Sequence, residues 1–450
     1  MHLPRRQLLR SLFGASTMMP AVIQNLLADS ADPLAPKQPH FPGKAKRVIF
    51  LYMTGGVSHV DTFDPKPALV KAAAEKKTGG KKGGVLLPST WGSKAYGKCG
   101  TTVSDLFPEM AGIVDDLCVI RSLQGDHNDH FQATMGMHTG SVTVKRPSIG
   151  SWVSYGLGTE NKNLPSFIAL APVLPYAGAQ VWSSDFLPGS HSGTRIVGGP
   201  QPVADLARRA ANEKVQSLEL DLLSRLNKQH QISRPGDPAL AARLQSFETA
   251  FGMQSEMPGV FDFSKETDAT MNLYGLERGQ TKGFGWQCLV ARRLAERGVR
   301  FIELIDTGSS GNWDVHGEIN NMTPLAKNVD RPIAGLIKDL KSRGMLDDTL
   351  VVWTTEFGRS PWGGPPHGRE HYNKTFSSWM AGGGIKPGMV YGASDEYGID
   401  ITENLMSVHD FHATILHCLG FDHTKLTYRH AGRDFRLTDV HGSVVKALLA

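Results

Sequence analysis

DTLVVWTTEFGR, residues 348–359, has the composition of a buried strand that ends in polar residues. Its apolar and β-branched centre predicts a strand covered on both faces, which is typical of a parallel sheet. Glu356 follows that centre directly, and His371 comes shortly afterwards. Because open α/β folds place their sites at the carboxyl ends of strands, we expect a functional site where this strand ends.

The rest of the chain alternates between strand and helix patterns. Residues 46–53 and 299–305 are short apolar runs that predict buried strands, and 333–343 predicts the helix before the strand at 348–359. Strands that alternate with helices predict an α/β protein with a mostly parallel central sheet and helices on both faces. Amphipathic stretches predict a helical insertion at about 203–255.

The N-terminal residues have the features of an export signal. Arg5 and Arg6 precede a weakly apolar run from Leu12 to Ala28, which glycine and proline interrupt. That run is too polar and too broken to form a stable membrane span, and the alternative of a disordered basic tail does not explain it. A twin-arginine pair before such a run is typical of bacterial export to the periplasm or beyond. The predicted domains are an export signal at 1–31, a linker at 32–45 and one domain at 46–450.

The composition excludes several classes of protein. The formal net charge is +5, and three arginines of the predicted signal contribute to it, so the rest of the chain is only mildly basic. Nucleic-acid binding is therefore not expected. The four cysteines form no Cys-x-x-Cys pair, which excludes a zinc ribbon and a dense disulfide framework. No later stretch approaches about 18 unbroken apolar residues, so no stable membrane span is expected. The sequence leaves the oligomeric state unknown.

Histidines and carboxylates are concentrated in loops that follow apolar strands. Convergence at one end of the sheet is the simplest explanation for this pattern. Imidazole and carboxylate ligands together suit zinc, iron or manganese, whereas ligands that are all oxygen suit calcium or magnesium. Two metals that share such ligands would suit ester hydrolysis. The four sets are His59, Asp61 and Asp64; His127, Asp129 and His130; Asp314 and His316; and Glu356 and His371.

Each set also has a structural interpretation. The aspartates of the first set could cap a turn, and Asp314 with His316 could form a turn at the sheet edge. The histidines of the second set could be loop residues or helix caps. Glu356 could form an ion pair with Arg359, and His371 could be an exposed residue.

Several motifs resemble a secreted, planctomycete-type bacterial family known as domain of unknown function 1501. The resemblance extends over nearly the whole chain after the signal. That family is similar, more distantly, to the alkaline phosphatase and sulfatase superfamily, which implies an alkaline phosphatase-like α/β fold. The motifs that carry the resemblance are GGVSHVDTFDPKP at 55–67, WDVHG at 313–317, EFGR at 356–359 and GREH at 368–371.

The sequence departs from the superfamily at important positions. Counting back from Thr139-Gly140, the resemblance places His130 where the superfamily has a Ser, Thr or Cys nucleophile. Phe357 stands where the superfamily has His or Asn. No cysteine begins a Cys-x-Pro-x-Arg motif, so a formylglycine sulfatase is not expected. These departures imply that a metal-activated water is the nucleophile or that catalysis has been lost.

The sequence therefore predicts an exported metal-dependent hydrolase of phosphate or sulfate esters. The expected cofactor is a divalent metal, zinc in the first instance, with calcium, magnesium or manganese as alternatives. The expected substrate is an anionic ester or a sulfated or phosphorylated polysaccharide. Alternatives are an inactive, metal-stabilised protein that binds anionic polysaccharide and a structural or partner-binding protein of the cell envelope.

Roles for individual residues follow from this hypothesis. His127 or His130 would transfer protons, and Arg359 or Arg369 would stabilise the anion. Glu356 would complete a metal site or act as a general base. The predicted metal ligands are Asp61, Asp314, His316, Glu356 and His371.

Overall fold

The computed structural model of the protein describes residues 33–79, 83–204, 206–234, 238–364 and 368–450. The export signal predicted at 1–31 lies outside these residues. The strands are β1 Arg47–Tyr52, β2 Thr78–Gly79, β3 Gly84–Val85, β4 Ser93–Tyr96, β5 Thr101–Ser104, β6 Leu117–Gln124, β7 Phe167–Leu170, β8 Thr194–Ile196, β9 Phe301–Ile305, β10 Thr349–Thr354, β11 Gly358–Gly364, β12 Gly368–Tyr372, β13 Phe376–Ala381, β14 Met389–Tyr391, β15 Ala393–Ser394, β16 Ile401–Glu403, β17 Met406–Ser407, β18 Tyr428–His430 and β19 Arg433–Phe435.

A nine-stranded sheet forms the centre of the protein, in the order β14-β6-β13-β10-β1-β9-β7-β8, with β17 paired to β6. The strand β1 pairs in parallel with both β10 and β9. The strand β13 is antiparallel to both of its neighbours, β10 and β6. The mostly parallel sheet predicted from the sequence is therefore confirmed, with one antiparallel strand inserted near its middle.

Helices cover both faces of this sheet, as predicted. Ile49 of β1 packs in one apolar core with Leu289 and Ile333, while Phe50 packs in the other core with Trp152 and Phe411. Adjacent residues of a strand point to opposite faces, so a strand with two covered faces has to be apolar throughout. The helices are α1 Ala68–Ala74, α2 Pro108–Ala111, α3 His130–Thr139, α4 Ile149–Leu157, α5 Glu213–Ser233, α6 Pro238–Phe261, α7 Asp268–Leu273, α8 Phe284–Glu296, α9 Met322–Ser342 and α10 Val408–Cys418.

The region at about 203–255, where the sequence predicts a helical insertion, contains α5 and most of α6. No helix within the described ranges has the length and apolar character needed to cross a membrane.

Candidate metal centre

The direction of the strands explains why distant residues meet. The strands β1, β9 and β10 are parallel neighbours, and β6 runs in the same direction because β13 is antiparallel to both β10 and β6. The carboxyl ends of these four strands therefore lie at one edge of the sheet. The loops that leave this edge carry the histidines and carboxylates that the sequence singles out.

Four of these side chains form a cluster, which consists of His130, Asp314, His316 and His371. Potential ligand atoms of His130, Asp314 and His371 all lie within 4.8 Å of one another. His316 adds a fourth group, because its Nε2 is 2.8 Å from Nε2 of His371 and 3.0 Å from Oδ1 of Asp314. His130 Nε2 lies 3.3 Å from Oδ2 of Asp314. Three imidazoles thus surround one carboxylate.

The other ring nitrogens of two of these histidines are held by acceptors. Nδ1 of His130 donates to Oε1 of Glu356 at 2.7 Å, and Nδ1 of His371 donates to the backbone oxygen of Asn128 at 2.8 Å. A proton on Nδ1 leaves the lone pair of Nε2 directed into the cluster. Metal-binding histidines usually have this kind of support from a carboxylate or a carbonyl. The arrangement therefore fits a metal ion held by Nε2 atoms and Asp314.

The electrostatics of the cluster keep its carboxylate charged. Burial acts to raise the pKa of Asp314, but the neighbouring imidazoles of His130 and His371 and the charge of Arg359 outweigh it and hold that pKa below its ordinary value. Burial also acts to lower the pKa of His130, yet the adjacent carboxylates of Asp314 and Glu356 leave that pKa raised. The carboxylate is therefore in the ionised form that binds a cation.

Glu356 lies behind His130 and has no free oxygen to offer a metal. It is buried, and its Oε1 accepts from the Gly55 amide at 2.8 Å as well as from His130. Its Oε2 accepts from the hydroxyls of Tyr52 and Thr355, each at 3.1 Å. The sequence predicts Glu356 as a metal ligand or general base, and in the structure its carboxylate contacts Nδ1 of His130.

Asp61 faces an arginine. Both of its oxygens accept from Arg369, at 2.6 Å from Nε and 3.1 Å from Nη2, and Ser58 donates to it as well. Both charged side chains are fully buried. Asp61 is not among the described residues whose ligand atoms converge in the cluster. Its carboxylate and the guanidinium of Arg369 instead neutralise each other.

The two remaining residues with predicted catalytic roles differ in position. Arg359 is fully buried and donates to Asp314 Oδ1 at 2.6 Å and to the backbone oxygen of Gly56 at 2.9 Å. It therefore fixes the carboxylate of the cluster. His127 lies in the loop before α3, where its Nδ1 accepts from the Asp129 amide at 3.0 Å. It is not a member of the cluster.

Two aromatic rings pack against His130. Tyr176 stacks on the imidazole of His130 with ring centroids 4.0 Å apart, and the ring of Phe357 lies 4.9 Å from that of His130. Gly56 has a φ of +79°, and a Cβ there would come within 2.5 Å of Phe357. Sequence reasoning does not identify Tyr176, because the loop after β7 carries no histidine or carboxylate near it that would mark a site.

A shallow cleft of about 470 Å³ adjoins Asp314. Hydroxyl and amide side chains line much of it, and none of its described lining residues is a lysine or an arginine. The lining consists of Tyr176, Ser309, Ser310, Gly311, Asn312, Asp314, Val315, Asn321, Pro324 and Leu325. The cleft offers hydrogen bonds next to the cluster.

The chain matches the model of a protein family. The family model described as "Protein of unknown function (DUF1501)" matches residues 45–449. Among curated proteins, none matches this chain in sequence.

Solved structures match the chain more distantly. The lipoteichoic acid synthase LtaP from Listeria monocytogenes has a TM-score of 0.40 at 8% identity, covering 92% of this chain and 80% of its own. The PsFucS1 sulfatase from Pseudoalteromonas sp. has a TM-score of 0.35 at 12% identity, with coverages of 91% and 72%. The alkaline phosphatase from the Antarctic bacterium TAB5 has a TM-score of 0.29 at 9% identity, with coverages of 79% and 96%. Similarity at this level assigns no activity to the chain.

Proposed function

The chain belongs to the DUF1501 family, and we propose that it is a metal-dependent hydrolase of phosphate or sulfate esters. The observation that carries this proposal is the cluster of three imidazoles around Asp314, two of them with Nδ1 held by an acceptor. Mixed nitrogen and oxygen ligands of this kind suit zinc, with manganese or iron as alternatives. His130, Asp314, His316 and His371 would hold the ion.

The protein's own side chains would prepare the site for hydrolysis. When bound, a divalent metal supplies Lewis acidity that polarises an ester oxygen and makes water more acidic. Arg359 fixes Asp314, and Glu356 fixes His130, so the ligands need little reorganisation when the ion binds. Tyr176 and Phe357 restrict the access of water to one side of His130.

The cleft beside Asp314 favours one class of ester. Its hydroxyl and amide groups can form hydrogen bonds with a hydroxylated leaving group, and its described lining has no lysine or arginine to attract a polyanion. We therefore infer a monoester of an uncharged, hydroxylated molecule in preference to a densely sulfated or phosphorylated polysaccharide.

A second candidate function is a metal-stabilised binding protein without catalysis. It is favoured by the environment of His130, the residue at the nucleophile position implied by the family resemblance. Its Nδ1 is bonded to Glu356 and its ring is stacked on Tyr176, so this imidazole is constrained and poorly placed to act as a nucleophile itself.

Export remains part of the proposal and rests on the sequence alone. Replacing Arg5 and Arg6 by lysine should leave the protein in the cytoplasm, because twin-arginine signals are read by a receptor. Fractionation of cells that express this variant tests the inference, and undiminished export would contradict it.

Hydrolysis of activated esters tests the function. We expect the zinc- or manganese-loaded protein to release p-nitrophenol from p-nitrophenyl phosphate or p-nitrophenyl sulfate, because both carry an anionic ester on a good leaving group. The variant His371→Ala should lose this activity, whereas His230→Ala, which alters an exposed histidine on α5, should keep it. A metal-loaded parent that hydrolyses neither ester with zinc, manganese, calcium or magnesium would overturn the hydrolase and favour the binding protein.

A further inference from the structure

The helix α3, which carries His130, presents polar residues to the sheet. His130, Thr134 and His138 are four residues apart, so they lie on one face of the helix. Each makes a buried polar contact: His130 with Glu356, Thr134 with the Tyr52 hydroxyl at 3.0 Å, and His138 with Glu303. A helix on a sheet usually turns its apolar side inward. Specific hydrogen bonds therefore add to the apolar contacts of Met135 and Met137 in fixing the orientation of α3.

The pair formed by His138 and Glu303 is the most unusual of these contacts. Glu303 lies in the middle of β9, between Ile302 and Leu304, and is fully buried. Its Oε1 is 2.7 Å from Nε2 of His138, and Nδ1 of His138 donates to the backbone oxygen of Thr134 at 2.7 Å. Both ring nitrogens of His138 thus face acceptors. The pair links α3 directly to the centre of β9.

We propose that Glu303 and His138 are positioning residues for the metal centre: they hold α3 at the rotation and height that direct His130 Nε2 at Asp314. This inference rests on the proposed metal site. His138 is eight residues from His130, which corresponds to about 12 Å along the helix. A rigid helix transmits a constraint over this distance, and a hydrogen bond defines position more narrowly than apolar packing does.

Stability alone does not account for the pair. Oε2 of Glu303 has no hydrogen-bond partner among the residues described. Hydrogen bonds therefore offset only part of the free energy that it costs to remove this carboxylate from water. Buried ionic pairs are often replaced by apolar residues without loss of stability. The neighbours of Glu303 across the sheet, Phe50 and Ala169, are both apolar and would accept such a residue. A requirement for the exact placement of α3 explains why a glutamate stands here.

Metal affinity measured in matched variants tests this role. Glu303→Met keeps the size of the side chain but removes the acceptor. We expect it to weaken zinc binding by about 10-fold, the lower end of the loss caused by removing a group bonded directly to a metal ligand, because Glu303 acts on His130 through α3. Glu303→Gln keeps an acceptor and should restore affinity to within about threefold of the parent. The visible absorption of the cobalt-substituted protein should change in Glu303→Met and not in Glu303→Gln.

The control separates positioning from general destabilisation. Leu304→Ala removes a buried side chain from the opposite face of β9 and should lower the melting temperature while leaving zinc affinity unchanged. If Glu303→Met does not fold, Thr134→Val tests the same face of α3 and should weaken zinc binding in the same direction. Parent-like zinc affinity in Glu303→Met, or in Thr134→Val where Glu303→Met does not fold, would overturn the positioning role. A parent protein that binds no zinc would instead overturn the metal site itself.

Discussion

Replacing His371 by alanine should lower the affinity of the protein for zinc by more than about 100-fold. Loss of a residue that merely supports a ligand costs about 10- to 100-fold, and a direct ligand should cost more. Nε2 of His371 lies within reach of Nε2 of His316 and of the Asp314 carboxylate, and the Asn128 carbonyl fixes its ring. Competition with a chromogenic chelator measures the change in affinity.

The fold should survive this substitution, because the side chain of His371 is partly exposed and its removal leaves no enclosed cavity. His230→Ala, on the exposed surface of α5, is the matched control and should bind zinc as the parent does. Equal zinc affinity in His371→Ala and the parent would remove His371 from the ligand set.

Replacing Asp61 by asparagine should destabilise the protein by about 3–5 kcal/mol, since it leaves the guanidinium of Arg369 buried without its counter-charge. Denaturant unfolding of the metal-free protein measures this change in the free energy of unfolding. Asp434→Asn provides the comparison, because its ion pair with Arg429 at 3.2 Å is exposed and should contribute less than about 1 kcal/mol.

This variant also separates two roles for Asp61. If Asp61 is a metal ligand, the substitution should weaken zinc binding and have little effect on the stability of the metal-free protein. If Asp61 is an ion-pair partner, the substitution should destabilise both the metal-free and the zinc-bound protein. Unchanged stability of the metal-free Asp61→Asn protein, together with weakened zinc binding, would restore Asp61 to the ligand set predicted from the sequence.

The fold could be predicted from the sequence because its signals are local. The runs at 46–53, 299–305 and 348–359 are apolar on both faces, and such strands need helices on both sides of a sheet. The antiparallel strand β13 was harder to predict. Its sequence, FSSWMA, is short and mixes hydroxyl and apolar residues, and its pairing with β6 joins residues more than 250 positions apart.

The candidate site could be predicted only in part. A carboxylate at the end of a strand has the same appearance in the sequence whether its partner is a metal, an arginine or a histidine. Asp314 lies in the cluster, Asp61 pairs with Arg369, and Glu356 supports His130, yet all three follow apolar strands. Their partners lie far away in the sequence, so only the packed fold distinguishes them.

The metal content of the purified protein tests the central claim most directly. After reconstitution with zinc and removal of free metal, elemental analysis should find about one ion per chain, the number that a single cluster of histidines and a carboxylate would hold. X-ray absorption should show imidazole nitrogen among the ligands of the bound zinc. A parent protein that retains no zinc, manganese or iron after reconstitution, while remaining folded, would contradict the metal centre and with it the proposed hydrolase.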